Sequence, residues 1–260
     1  IWSFFFLFLI ILILGRIKEF FLLFKSKKKL IYLTITAILI TTNWTGFIFA
    51  VSINRVQDAS MGYYITPMIS IVLGYFFLKE KITLLKLISV LMMFFSLLFL
   101  LLSLKTLPVL AILIGLTWGI YGLLRKQIDV KSEIGLLYES GFISVIAAPY
   151  IAYLTYNEIG YFINSSNTNS ILLILTGAIT IFPLFFFNLG VRFIPLGFAG
   201  VLFFLTPTLH FLTSAFILNE DINTSKLISF IIIWVAVIIF IIDVLKEEKK
   251  INESNIQLPS

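Results

Sequence analysis

Apolar residues fall in long unbroken runs along this chain, separated by short polar or basic connections. Nine runs stand out, at about 1–15, 30–53, 59–78, 84–104, 107–124, 134–154, 170–191, 197–218 and 225–245. Most approach or exceed the roughly 20 residues that a helix needs to cross a ~30 Å hydrocarbon core. None alternates apolar and polar positions as a membrane-spanning strand does. In lipid every backbone polar group must be satisfied within the segment, so the runs predict transmembrane helices. The expected fold is all-α: a polytopic helical bundle with nine helices visible.

Composition agrees with this pattern. Hydrophobic residues make up 60% of the 260 positions and charged residues only 12%, against about 45–50% and ~25% in soluble domains. There is no Cys and a single His, so disulfides, thiol chemistry and a histidine metal cage are not expected, and no cofactor is. The residues from Ile1 to Leu14 lack the basic leader and small-residue cleavage site of a signal peptide.

Charge sorts by side. Of the 19 Lys and Arg, 16 fall in alternate connections and only Arg55, Lys105 and Lys226 in the others. The basic connections mark the cytoplasmic face, which puts the C-terminus in the cytoplasm and Ile1 outside. With the net charge of +6 sorted in this way, the partner is the lipid bilayer and not nucleic acid. Residues 246–260 read as a polar, solvated tail.

The chain also repeats itself, and period detection is decisive for fold. Shifted by 140 positions without a gap, the stretch from Phe47 lies over the stretch from Phe187. Ala59/Ala199, Thr66/Thr206, Pro67/Pro207, Phe76/Phe216, Glu80/Glu220 and Lys86/Lys226 are identical pairs, and KLIS at 86–89 recurs at 226–229. Shared membrane composition accounts for Leu over Leu, not for Thr-Pro, Glu and Lys in one register. KEKIT (79–83) stands on the basic side, whereas its counterpart NEDIN (219–223) has lost both lysines and gained Asp221. One element with opposite charge bias predicts two inverted-topology repeats of five helices, divided as 1–104 and 105–245. Such repeats build secondary transporters with a substrate site at mid-membrane. The same offset lays Ile1 over Gly141, so a tenth helix is expected before residue 1.

The segments NWTGFIFAV (43–51), ASMGYYITPMISIVLGYFFLKEKIT (59–83), WGIYGLLRK (118–126), LTPTLHFL (205–212) and SFIIIWVAVIIFIID (229–243), together with Glu139, resemble the RarD branch of the EamA transporters, within the drug/metabolite transporter superfamily. The resemblance covers nearly the whole chain. It implies ten helices in two inverted five-helix repeats in a bacterial inner membrane, and the export or exchange of small metabolites or drugs. Several positions depart from the branch's pattern: Ser52, Ile53 and Asn54 replace an Asn pair followed by Gly, Thr66 replaces Asn, Phe203 and Phe204 replace Gln-Tyr, and His210 replaces Gln. A cavity facing these positions would take a different solute.

Polar groups at membrane depth are costly and face a cavity or a partner. The cavity candidates are Asn43 and Trp44, an amide beside an indole; Tyr63, Tyr64, Trp118 and Tyr121 as aromatic lining; and Thr66/Pro67 with Thr206/Pro207 as symmetric bends, where each Pro removes a helix bond and each Thr can bond the freed carbonyl. His210 offers a titratable imidazole or a neutral interhelical bond. Glu139 offers a proton-coupling carboxylate or an ion pair to Arg125 or Lys126, and the ion pair is preferred. Glu80 and Glu220 are expected to cap a helix or bind a base. Gly62, Gly74, Gly119, Gly122, Gly197 and Gly200 suggest close helix crossings.

The expected function is a secondary transporter that moves a small organic solute by alternating access, and not an enzyme. The sequence leaves room for proton or solute counter-transport and for a homodimer. An intramembrane enzyme acting on a lipid-like substrate, or a channel-like pore, is the alternative. No HExxH, GxSxG or Walker motif is present to support catalysis or ATP hydrolysis.

Overall fold

A computed structural model describes residues 1–53, 56–104, 109–206, 208–209 and 224–256. Among these residues every regular element is a helix: α1 (Trp2–Ile13), α2 (Ile17–Leu23), α3 (Lys27–Ser52), α4 (Val56–Leu78), α5 (Leu84–Leu104), α6 (Val109–Gln127), α7 (Ser132–Tyr156), α8 (Asn167–Gly190), α9 (Leu196–Leu202) and α10 (Thr224–Ile256). Segments within α3, α6, α7, α8 and α10 are long and apolar enough to cross a membrane. Large apolar side chains face outward along them, among them Ile48, Ile146 and Phe182, as a lipid solvent allows.

The chain forms two compact units: residues 1–42 with 124–193, and residues 43–123 with 194–260. Each unit therefore combines a stretch of the first half of the chain with a stretch of the second.

In the first unit α1 packs on α7 and α8. α1 ends where Gly15 turns left-handed at φ 65°, and the Arg16 and Gly15 N–H groups donate back to the Ile11 and Leu12 carbonyls, both at 3.0 Å, as glycine-terminated helices do. α1 and α7 run antiparallel, since Arg16 pairs with Glu133 at one end and Phe4 lies over Gly141 further along. The core is Leu7, Ile11, Leu33, Ile134 and Leu137, closed by Leu23 from α2. Sequence reading has 16–29 as a plain connection. The structure puts α2 there because Phe20 and Leu23 find cover on that core.

In the second unit α4 packs against α9, and α5 against α10. The first pair is antiparallel: Ile71 faces Gly197, Ser70 faces Gly200 and Tyr63 faces Phe203. The second is antiparallel too. Thr83 Oγ1 donates to Asp243 Oδ2 at 2.6 Å, and Ser96 Oγ donates to the Ser229 carbonyl at 2.9 Å. The core gathers Ile71, Met93, Phe204, Ile233, Val237 and Phe240. α4 also comes very close to α6. A Cβ on Gly62 would lie 3.1 Å from the Ala111 carbonyl oxygen, and one on Gly115 would lie 3.1 Å from the Gly62 carbonyl oxygen, so only hydrogen fits between these backbones.

Two further expectations need correction. The helix expected over 197–218 is interrupted: α9 stops at Leu202, and the Phe203 and Phe204 N–H groups bond three residues back, to Gly200 and Val201. Its counterpart α4 runs through Pro67 without a break. The other correction is at the C-terminus, where α10 continues to Ile256 instead of ending near 245. The sequence KEEKKINES that extends it holds strong helix formers and no Gly or Pro, and Glu247 is anchored to Lys86.

Candidate functional site

Three helices of the second unit and the turn that follows α9 bring aromatic rings together. Tyr63 of α4 stacks on Phe203, with ring centroids 6.5 Å apart and planes 5° from parallel. Trp118 of α6 meets the same Phe203 ring edge-on at 5.2 Å and Tyr121 at 5.6 Å. Phe47 of α3 closes on Tyr63 at 6.2 Å. Tyr121 is fully buried, whereas Tyr63, Trp118 and Phe203 are half-buried and keep ring surface free for contact. Such offset and edge-on pairs contribute about 0.5–1.5 kcal/mol each beyond their area.

Asn43 is buried one turn before Phe47. Its amide donates to the Ile114 carbonyl at 2.8 Å and to Thr117 Oγ1 at 3.0 Å, one residue from Trp118. The amide thereby ties α3 to α6 behind the rings, a bond worth about 0.6–2 kcal/mol in membranes. Trp44, its neighbour, is 36% exposed and lies outside this ring cluster.

The remaining candidates separate. Tyr64 belongs to the packed core beside Phe204 and Phe230. Thr66 and Pro67 are buried, but Thr66 Oγ1 donates to the Gly62 carbonyl at 2.9 Å, one residue before the Tyr63 carbonyl that Pro67 leaves unbonded. The expected repair of the freed carbonyl is therefore absent. Thr206 follows the interruption after α9, with its N–H on the Phe203 carbonyl at 3.1 Å. Pro207, His210 and Glu220 lie outside the described residues. Phe203, which sequence analysis has as a departure from the branch's pattern at a cavity-facing position, is brought against Tyr63, its partner at offset 140.

Glu139 belongs to the first unit. Its carboxylate lies 3.5 Å from Arg125 Nη1 and accepts from Thr36 Oγ1 at 2.6 Å. Arg125 Nε donates to Asn188 Oδ1 at 3.1 Å. All four side chains are buried, and Gly135 makes the room, since a Cβ there would collide with the guanidinium. The ion pair with Arg125 is thus the arrangement found; Lys126 instead donates to the Val191 carbonyl at 3.0 Å.

Glu80 is a cap, but not of the next helix. Lys79 adopts a left-handed conformation at φ 55° and Glu80 N–H turns back to the Gly74 carbonyl at 3.1 Å. This aims the carboxylate across the unit, where it accepts from the N–H groups of Leu196 at 2.6 Å and Gly197 at 3.2 Å, at the start of α9.

Membrane-length apolar helices and half-buried aromatics with an amide behind them make this a multi-pass membrane protein built as transporters are. Comparison with known proteins makes the class specific. The EamA-like transporter family profile matches residues 1–102 and 106–242, and the chain belongs to that family. It is similar to Protein RarD of Escherichia coli (strain K12), 30% identical over 97% of this chain and 86% of that protein. It is also similar to the Uncharacterized transporter YojE of Bacillus subtilis (strain 168), 33% identical over 92% of this chain and 81% of that one. A further relative, 23% identical over 79% of this chain and 68% of its own length, is the Chloramphenicol-sensitive protein RarD of Pseudomonas aeruginosa. These names indicate a transporter rather than an enzyme.

Proposed function

We propose that the chain is a secondary carrier that moves a small, semi-polar organic solute by alternating access, with Tyr63, Trp118 and Phe203 as the ring surfaces the solute meets and Asn43 as the group that fixes them. The observation that carries this reading is the Tyr63–Phe203 stack. The two residues are equivalents at offset 140, Tyr63 within α4 and Phe203 at the end of the antiparallel α9. In a pair of inverted repeats related by an in-plane two-fold, equivalents that touch lie on the axis, and the axis lies at mid-membrane. Transporters of this construction bind their substrates at that depth. The two stretches matched by the family profile, which divide near residue 105, support the same repeat. Aromatic faces suit a solute with an apolar body, and the departure at Phe203 favours a less polar one than the branch pattern would take.

The basic connections, and with them the C-terminus, are assigned to the cytoplasm of a bacterial inner membrane on the distribution of Lys and Arg. Glu139 is assigned a structural role, because its charge is already matched by Arg125, and so is not the proton carrier. The test is uptake by proteoliposomes holding the full-length protein, offered a metabolite panel with and without a pH gradient. Saturable flux that falls in Phe203→Ala supports the carrier. Chemical conversion of a solute, or unsaturable conductance, moves the assignment to an enzyme or a pore.

A further inference from the structure

Away from the aromatic rings, the second unit holds a cavity of about 400 Å³ where helix ends gather: α4 stops at Leu78, α5 begins at Leu84 and α9 at Leu196. Its floor is apolar, formed by Ile71, Phe240 and Val244. Its rim carries Glu80, Lys81, Lys86 and Glu247, two charges of each sign. Lys86 is committed to Glu247 and to Asp243, 3.8 Å away, and Glu80 is committed to the start of α9. Lys81 is exposed, and its backbone carbonyl accepts from Lys86 Nζ at 3.4 Å. Glu247 keeps about a third of its side chain exposed.

From this arrangement we infer that the cavity is a binding site for a zwitterionic phospholipid, with the lipid phosphate at Lys81, its ammonium at Glu247 and the first acyl methylenes on Ile71, Phe240 and Val244. Three features select this ligand. The rim sums to zero charge and has Asp243 behind it, so a purely anionic headgroup gains little. A purely cationic ligand meets Lys81 and Lys86. A small water-soluble zwitterion leaves the apolar floor in contact with water, at about 25 cal/mol for each Å² left uncovered. α4 ends and α5 begins at the basic connection 79–83, which the distribution of Lys and Arg sets at the cytoplasmic headgroup level, and basic pockets between spanning helices are recognised seats for lipid headgroups. The volume suits a headgroup and the neck of its chains, the rest of which would run into the bilayer.

The experiment reads bound lipid and not flux, so it stands apart from the carrier assignment. The purified full-length protein is equilibrated in micelles holding equal amounts of phosphatidylethanolamine and phosphatidylglycerol, and the lipid retained per protein is counted by native mass spectrometry. Preferential retention of phosphatidylethanolamine is expected. In Lys81→Ala and in Glu247→Gln that preference should fall roughly three- to fivefold, the range of a partly exposed charge pair. Lys81 is exposed, so its variant should keep the fold, and gel-filtration behaviour checks this. Free phosphoethanolamine added at the lipid's concentration should leave retention unchanged. Equal retention of the two lipids, an unaltered preference in Lys81→Ala, or displacement by the free headgroup overturns the assignment.

Discussion

Tyr63 and Phe203 stand 140 positions apart and lie face to face, their planes 5° from parallel. Their sequence neighbours Tyr64 and Phe204 also meet, at 6.2 Å. Two consecutive equivalent pairs in mutual contact fix the register of α4 against the α9 strand of the chain. The stack predicts energetic coupling. Tyr63→Ala and Phe203→Ala should each lower the melting temperature in detergent. The double variant should lose about 0.5–1.5 kcal/mol less than the two single losses added together. Strict additivity would show that the rings do not support one another.

The Glu80 cap makes a second, sharper prediction. Removing a capping side chain costs about 0.5–2 kcal/mol, so Glu80→Ala should lower stability by that amount and Glu80→Gln by less, since an amide oxygen still accepts. Gly74→Ala should behave like Glu80→Ala, because a Cβ at 74 would stand 2.5 Å from Glu80 Oε2 and drive the carboxylate off the α9 N–H groups. The two lesions act on one contact, so combining them should add little. A full second loss in Gly74→Ala/Glu80→Ala would sever the link between glycine and cap.

The Arg125–Glu139 pair predicts a large effect of opposite kind for single and double changes. Breaking a buried pair by neutralising one partner leaves an uncompensated charge and costs about 3–5 kcal/mol. Glu139→Gln and Arg125→Met should therefore each unfold the protein at much lower temperature, while Arg125→Met/Glu139→Gln should recover much of the loss. If Glu139→Gln keeps full stability and abolishes only the effect of a pH gradient on uptake, the carboxylate is a proton carrier after all.

Asn43→Leu keeps the branched shape of the side chain and removes its bonds to Ile114 and Thr117. A loss of about 0.6–2 kcal/mol is expected, together with weaker solute binding, because Trp118 follows Thr117 directly. Thermal unfolding and a binding titration with any transported solute would read the two effects separately.

The helical class, the segment positions and the pairing of equivalents were legible in the sequence because lipid imposes a length and an apolar character on each run, and because Thr66/Pro67 and Thr206/Pro207 share one register. Asn43, Trp118 and Tyr121 stand out in the sequence for the same reason: polar or aromatic groups are conspicuous against Leu and Ile. What stayed hidden depends on contacts between distant residues. Nothing near Glu80 in sequence shows that its partner is the backbone at Leu196. The ion pair of Glu139 could be named as one option, but the choice of Arg125 over Lys126 required the direction in which α6 presents each side chain. The helix α2 owes its existence to cover supplied by α7, and the interruption at Phe203–Phe204 leaves no Gly or Pro at the break itself to announce it.

That interruption has a mechanical meaning. α4 keeps its backbone ladder through the ring position, apart from the bond Pro67 cannot make, whereas the chain after α9 is held there by tightened three-residue turns. The two stretches, 140 positions apart in register, thus differ in compliance: one is a strut and the other a joint. Amide hydrogen exchange should be slow at residues 63–66 and fast at 203–206, and any movement that opens the path past the rings would be borne by the joint, with Tyr63 as the fixed wall against which Phe203 swings.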